Sequence, residues 1–287
     1  MRPSALSSGG HFSYAVSERD GGGLYRWGTD NGRVYKTPTP VALPSAALDI
    51  FGSGGRTRRA VTVACGSKHT LILLEGGLVL GCGVGYFGQL GRGDDASSHE
   101  PRLIEALSPA KLGGNSANGD SSNSGSGSSD GSSGSGDRVV GIAAGGCHSG
   151  CYTKAGDVYM WGFNRSGQCG VGPEKASSSS QKSNPMTTVP KPRKLEGLVE
   201  ASNGSETSAG AASGGGRLKI VQLVCGRHHS ACLTESGAVF CWGATSFGRL
   251  GIHDLSVMTL GAFRYFNHVF LCACVFIVDV HSGLRIS

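Results

Sequence analysis

Residues 145–162 read GGCHSGCYTKAGDVYMWG and place Cys147, His148 and Cys151 within five positions. Two explanations compete for this stretch. Ligand-type side chains this close suit half of a metal site, which needs a second pair elsewhere. They also suit an architectural unit, which needs copies of itself. Copies are present. VACGSKHTLILLEGGLVLGCGVGYFGQLG (63–91), IAAGGCHSGCYTKAGDVYMWGFNRSGQCG (142–170) and LVCGRHHSACLTESGAVFCWGATSFGRLG (223–251) align without a gap. Gly66, Gly145 and Gly226 coincide, and His69, His148 and His229 follow three positions later. Thirteen further on stand Cys82, Trp161 and Trp242, each before a glycine; six beyond those come Gly88, Gly167 and Gly248. A diverged copy at 9–32 aligns on His11 and Trp27-Gly28, with three extra residues assigned to the turn SERDGGG, where insertion is best tolerated.

Each unit reads as β structure. RLKIVQLVC (217–225) is rich in apolar and β-branched residues, and Gly226 ends it. HSACLT and AVFCWG follow, joined by ESG, a short glycine-containing hairpin connection. In DVYMWG, Val158 and Met160 point to one face and Tyr159 and Trp161 to the other. A strand apolar on both faces needs cover on both, which a radial stack of small sheets provides.

The units resemble the repeats of the regulator of chromosome condensation family: a strand, then G-x-x-H-[ST], then a W-G strand end, then G-Q-L-G. The pattern is carried by Gly66/His69/Gly83/Gly88-Gln89-Leu90-Gly91, by Gly145/His148/Trp161-Gly162/Gly167-Gln168-Cys169-Gly170 and by Gly226/His229/Trp242-Gly243/Gly248-Arg249-Leu250-Gly251. The resemblance implies an all-β fold, a β-propeller of about seven four-stranded blades. Residues 1–251 are assigned to it, with units near 9–32, 63–91, 142–170 and 223–251.

Three departures shape the expectation. Four units make an array incomplete relative to a seven-bladed ring. The repeat interval is stretched, with 79 residues from His69 to His148 and 81 from His148 to His229. Low-complexity inserts at 113–136 and 173–216 account for the excess; the first holds eighteen Gly or Ser in twenty-four positions and is expected to be a disordered loop. Beyond Gly251 the pattern stops. The tail 252–287 is expected to be a truncated or altered end, the rival expectation being that it supplies a strand covering the last blade.

Bulk properties narrow the function classes. With 49 glycines and 16% charged residues in 287, the chain favours turns and strands over helices. The net charge of +6 is mild, and Arg56-Thr57-Arg58-Arg59 and Lys191-Pro192-Arg193-Lys194 form no dense basic face, which argues against nucleic acid or chromatin as the main partner. MRPSALSSGGHF lacks the apolar run of a secretory signal, so the ten cysteines are read as free thiols of a cytoplasmic or nuclear protein. The apolar run 269–278, VFLCACVFIV, is too short to span a bilayer.

The repeat also weighs the chemistry. His148 is the repeat histidine and is expected to hydrogen-bond within the blade. A zinc site from Cys147 and Cys151 with Cys225, Cys232 or Cys241 is disfavoured, because Ile72, Cys151 and Cys232 share one slot and a slot that takes isoleucine is apolar. Cys82 in the tryptophan slot is expected to leave its blade less well packed. Cys169 stands where Leu90 and Leu250 stand. The glycine turns lack G-x-x-x-x-G-K-[ST] and read as tight turns. The expectation is a non-enzymatic chain with no catalytic, cofactor or metal residues: a scaffold for a protein partner. The resemblance implies one alternative, guanine-nucleotide exchange on a Ran-type small GTPase. It also raises ultraviolet sensing, which is set aside because that plant photoreceptor places tryptophan where Ser67, Gly146 and Arg227 stand here.

Overall fold

The computed structural model describes residues 3–44, 58–112, 137–171, 188–196, 198, 218–251 and the strand Phe276–Ile277. The insert 113–136, most of 173–216 and the remainder of the tail 252–287 lie outside these residues.

The described residues form four antiparallel four-stranded sheets, each a simple meander in chain order. Blade 1 contains β1 (Pro3–Ser8), β2 (Phe12–Ser17), β3 (Gly23–Asp30) and β4 (Arg33–Pro40). Blade 2 contains β5 (Ala60–Cys65), β6 (His69–Leu74), β7 (Val79–Gly83) and β8 (Ser98–Leu103). Blade 3 contains β9 (Val139–Ala144), β10 (His148–Thr153), β11 (Val158–Phe163) and β12 (Thr188–Lys194). Blade 4 contains β13 (Ile220–Cys225), β14 (His229–Thr234), β15 (Ala238–Gly243) and β16 (Phe276–Ile277). This is the all-β propeller architecture that the repeats imply.

The middle strands are covered on both faces, as their two-sided apolar pattern requires; every residue of β6 and of β7 is buried. One apolar cluster joins blade 1 to blade 2 through Tyr14, Val16, Ile72 and Leu80. A second runs from blade 2 through blade 4 and includes Leu71, Met160, Trp161, Phe240 and Trp242.

Three expectations are corrected. Thr188–Lys194, inside the stretch read as an insert, is the outer strand of blade 3. In blade 1 the repeat histidine slot holds Phe12, not His11. Gly9 N donates to Phe12 O at 2.8 Å, as Gly66, Gly145 and Gly226 N donate to His69, His148 and His229 O. Phe12 also pairs with Gly28, as His148 pairs with Gly162. Finally, the Cys82 slot is filled rather than loose. Tyr14 of blade 1 is fully buried, with its hydroxyl 3.6 Å from Cys82 Sγ. The tail, for its part, supplies the short β16, which pairs with Ala238 and Val239.

Candidate functional site

Each blade has two unlike faces, because alternate strand residues point opposite ways. His148 faces the following blade and Ser149 the preceding one. His69 Nε2 lies 2.8 Å from Ser149 Oγ, and His148 Nε2 lies 2.9 Å from Ser230 Oγ. Ser149 donates to Gln89 O at 2.9 Å and Ser230 to Gln168 O at 2.8 Å. With its one proton so used, each hydroxyl accepts from the imidazole, which fixes the Nε2–H tautomer of both histidines. Trp161 and Trp242 donate their indole N–H groups to the same two carbonyls, at 2.9 and 3.0 Å. One histidine, one hydroxyl, one carbonyl and one indole thus close each of these two seams.

Burial sets the charge state of this arrangement. It depresses the pKa of His69 to about 4 and that of His148 to about 3, where the neighbouring His69, His229 and His228 act in the same direction. Both rings are therefore neutral at physiological pH. Gly66, Gly145 and Gly226 lie flat against the repeat imidazoles, and a Cβ on any of them would overlap its ring. Main-chain bonds continue the file from blade to blade: Gly10 N to Ser67 O, Ser67 N to Gly145 O and Gly146 N to Gly226 O, at 3.1–3.2 Å.

The residues first considered for metal are thereby placed. His148 is committed to Ser230, and Cys151 and Cys232 are buried in the apolar cluster. Cys225 Sγ lies 3.8 Å from Ser230 Oγ, and burial pushes its thiol up to about 12. Cys169 is buried in its leucine slot, with Sγ 3.5 Å from Phe163 O. Cys147 occupies a turn tip, between Lys68 and Arg227 of the flanking blades. Among the described residues no group of three His, Cys, Asp or Glu side chains is placed to hold a metal ion. The roles of Ser149, Ser230 and the Gln89 and Gln168 carbonyls went unread in the sequence, although the fixed His-Ser and G-Q-x-G spacings carried the signal.

Blade 1 meets blade 2 differently. Its β3 and β4 are joined by Asn31-Gly32, both at positive φ, in a two-residue hairpin that leaves no G-Q-L-G loop. Without that loop no carbonyl awaits a tryptophan at position 82. Tyr14 fills the space and donates to Asp30 Oδ2 at 2.6 Å. Arg26 approaches the same carboxylate at 3.5 Å, donates to His99 O of blade 2 at 3.1 Å and stacks on Tyr35 at 4.4 Å.

The surface is shaped at one end of the strands, where the G-x-x-H turns and the G-Q-L-G loops emerge together. Tyr86 and Phe247 are 70% and 93% exposed there, values unusual for aromatic rings. Arg249 lies over the Phe247 ring at 5.2 Å, and Phe87 packs on Phe163 of the next blade with centroids 4.8 Å apart. Lys68 and Arg227 line the inner turns of the same end.

A file of four-stranded blades joined by repeated seams defines a tandem-repeat propeller. Two family models described as "Regulator of chromosome condensation (RCC1) repeat" match this chain, one at residues 76–111 and 155–233, the other at 60–89 and 220–249. The chain belongs to the RCC1 repeat family. It is 28% identical over 229 residues to RCC1 domain-containing protein 1 of Mus musculus, covering 77% of this chain and 52% of the relative. It is 29% identical over 240 residues to E3 ubiquitin-protein ligase HERC2 of Homo sapiens, covering 83% of this chain and 4% of that protein. The solved structure of Prp20p from Saccharomyces cerevisiae superimposes with a TM-score of 0.55 at 22% identity, covering 88% of this chain and 45% of that one. The chain spans about half the length of the RCC1 domain-containing protein 1 that it matches.

Proposed function

We propose that this chain is a non-catalytic protein-interaction scaffold of the cytoplasm or nucleus. One observation carries the reading. The buried polar side chains His69, His148, Ser149 and Ser230 are engaged in holding blades together, while exposed aromatic and basic side chains gather at one end of them. Aromatic and arginine side chains are those that dominate protein interfaces. The HERC2 match supports the reading, since the matched stretch makes up 4% of that larger protein. Proximity labelling with the intact chain, repeated with Phe247→Ala and Tyr86→Ala together, tests it. Partners lost from the double variant support the scaffold; a chain that captures no protein refutes it.

A second reading is guanine-nucleotide exchange on a Ran-type small GTPase. Prp20p, which shares the fold, has reported binding properties to Gsp1p and histones. An exchange factor acts by binding the nucleotide-free GTPase more tightly than the loaded one. GDP release from such a GTPase, unchanged by a stoichiometric amount of this chain, removes this reading.

A further inference from the structure

The seams between blades 2 and 3 and between blades 3 and 4 state in chemical terms what covers a blade face. A face bearing a histidine and a loop carbonyl is covered by one bearing a serine and a tryptophan. Among the described residues both kinds of face also stand uncovered, one at each end of the file. Blade 1 opens on Ser13 and Trp27, which pair across β2 and β3 as Ser149 and Trp161 pair across β10 and β11. Trp27 is half-buried, and its indole N–H meets no acceptor among the described residues, whereas Trp161 and Trp242 are fully buried. Blade 4 closes on His229, with Arg249 where the other loops have Gln89 and Gln168. His229 is half-buried where His148 is fully buried, and Val224 is 50% exposed where its counterpart Ala143 is 6% exposed.

We propose that two copies of this chain join head to tail, with the Ser13–Trp27 face of each seated on the His229–Val224 face of the other. The contact repeats the internal seam: His229 Nε2–H toward Ser13, and the Trp27 indole N–H toward the Arg249 carbonyl. The faces are unlike, so one contact leaves one open face on each copy; a two-fold axis along the propeller axis satisfies both at once. The four described blades of each of two copies make eight, within the range of closed propellers. Two simultaneous seams strengthen one another, because forming the second is an intramolecular step. This inference does not depend on the scaffold reading.

Sedimentation of the full chain over a wide concentration range tests it. A species of twice the 29.3 kDa chain mass is expected. Trp27→Glu spoils one face and Val224→Arg the other; each alone is expected to raise the dimer dissociation constant at least tenfold, with the far-UV circular dichroism unchanged. Mixed in equal amounts, the two variants regain dimers, because one seam of the mixed pair unites two unaltered faces. A photo-crosslinking residue at position 27 is expected to label β13 or β14 of a second copy. A chain monomeric at every concentration, dimers indifferent to both variants, a mixture that recovers nothing, or crosslinks to other elements each overturns the proposal; further blades or another protein would then be what covers these faces.

Discussion

The imidazoles of His69 and His148 titrate near pH 4 and 3 in the fold, against about 6.5 in an unfolded chain. Between those values the unfolded chain binds more protons, so stability rises with pH. The contribution is complete above about pH 6.5 and is lost as pH falls toward 4 and then 3. Chemical denaturation is therefore expected to show a lower midpoint at pH 5 than at pH 7.5, and His148→Gln is expected to reduce that difference. Trp161→Phe keeps most of the ring and removes only the N–H to Gln89 O. Ser149 still satisfies that carbonyl, so the expected cost is about 1 kcal/mol, read from the same denaturation curves. The repeat alignment made these residues visible, but a histidine's partner lies some eighty positions away, and the sequence does not say that it belongs to the next blade rather than to its own.

Between elements, the seam of blades 1 and 2 shows substitutions that hang together. Phe12 replaces histidine, Cys82 replaces tryptophan, the G-Q-L-G loop is absent, and Tyr14 with Asp30 occupies the gap. Cys82→Trp, which restores the repeat pattern in sequence, is thus expected to destabilise the protein by about 1–3 kcal/mol through overpacking, as thermal unfolding would show. The same change with Tyr14→Ala is expected to recover part of the loss. Sequence comparison set His11 in the repeat slot because a shared histidine outweighed a shared spacing. The spacing was the better guide, since the Gly9 amide reaches the carbonyl three residues on. The outer strand β12 is hard to read in the sequence for a related reason. TVPKPRK has two prolines and three basic residues and resembles linker sequence. An outermost strand tolerates both, and they discourage pairing with another chain.

Across the whole molecule, blades touch along seams, so stability is expected to behave as a sum of blade and nearest-neighbour terms. His148→Ala and Ser230→Ala share a seam, and their effects on unfolding free energy are expected to differ from additivity by about 0.5–3 kcal/mol. His148→Ala paired with Thr70→Ala, in a separate seam, is expected to add within about 0.5 kcal/mol. A double-mutant cycle checks both. At this scale the propeller class was legible, because glycines and tryptophans at fixed offsets report blades directly. The exposed aromatic end was not, because Tyr86 aligns with Arg165 and Ser246, and the slot that Phe247 shares with Phe87 holds Ser166 in the blade between.

The seams run in one direction along the chain, each histidine waiting for a serine made later, and this bears on synthesis. At about 5–20 residues per second, the 80 residues that separate His69 from Ser149 occupy the ribosome for on the order of 4–16 s. During that interval the newest blade shows an unsealed apolar side to solvent. The length of the segments between blades therefore acts as a clock, setting how long each nascent blade stands open before its neighbour arrives.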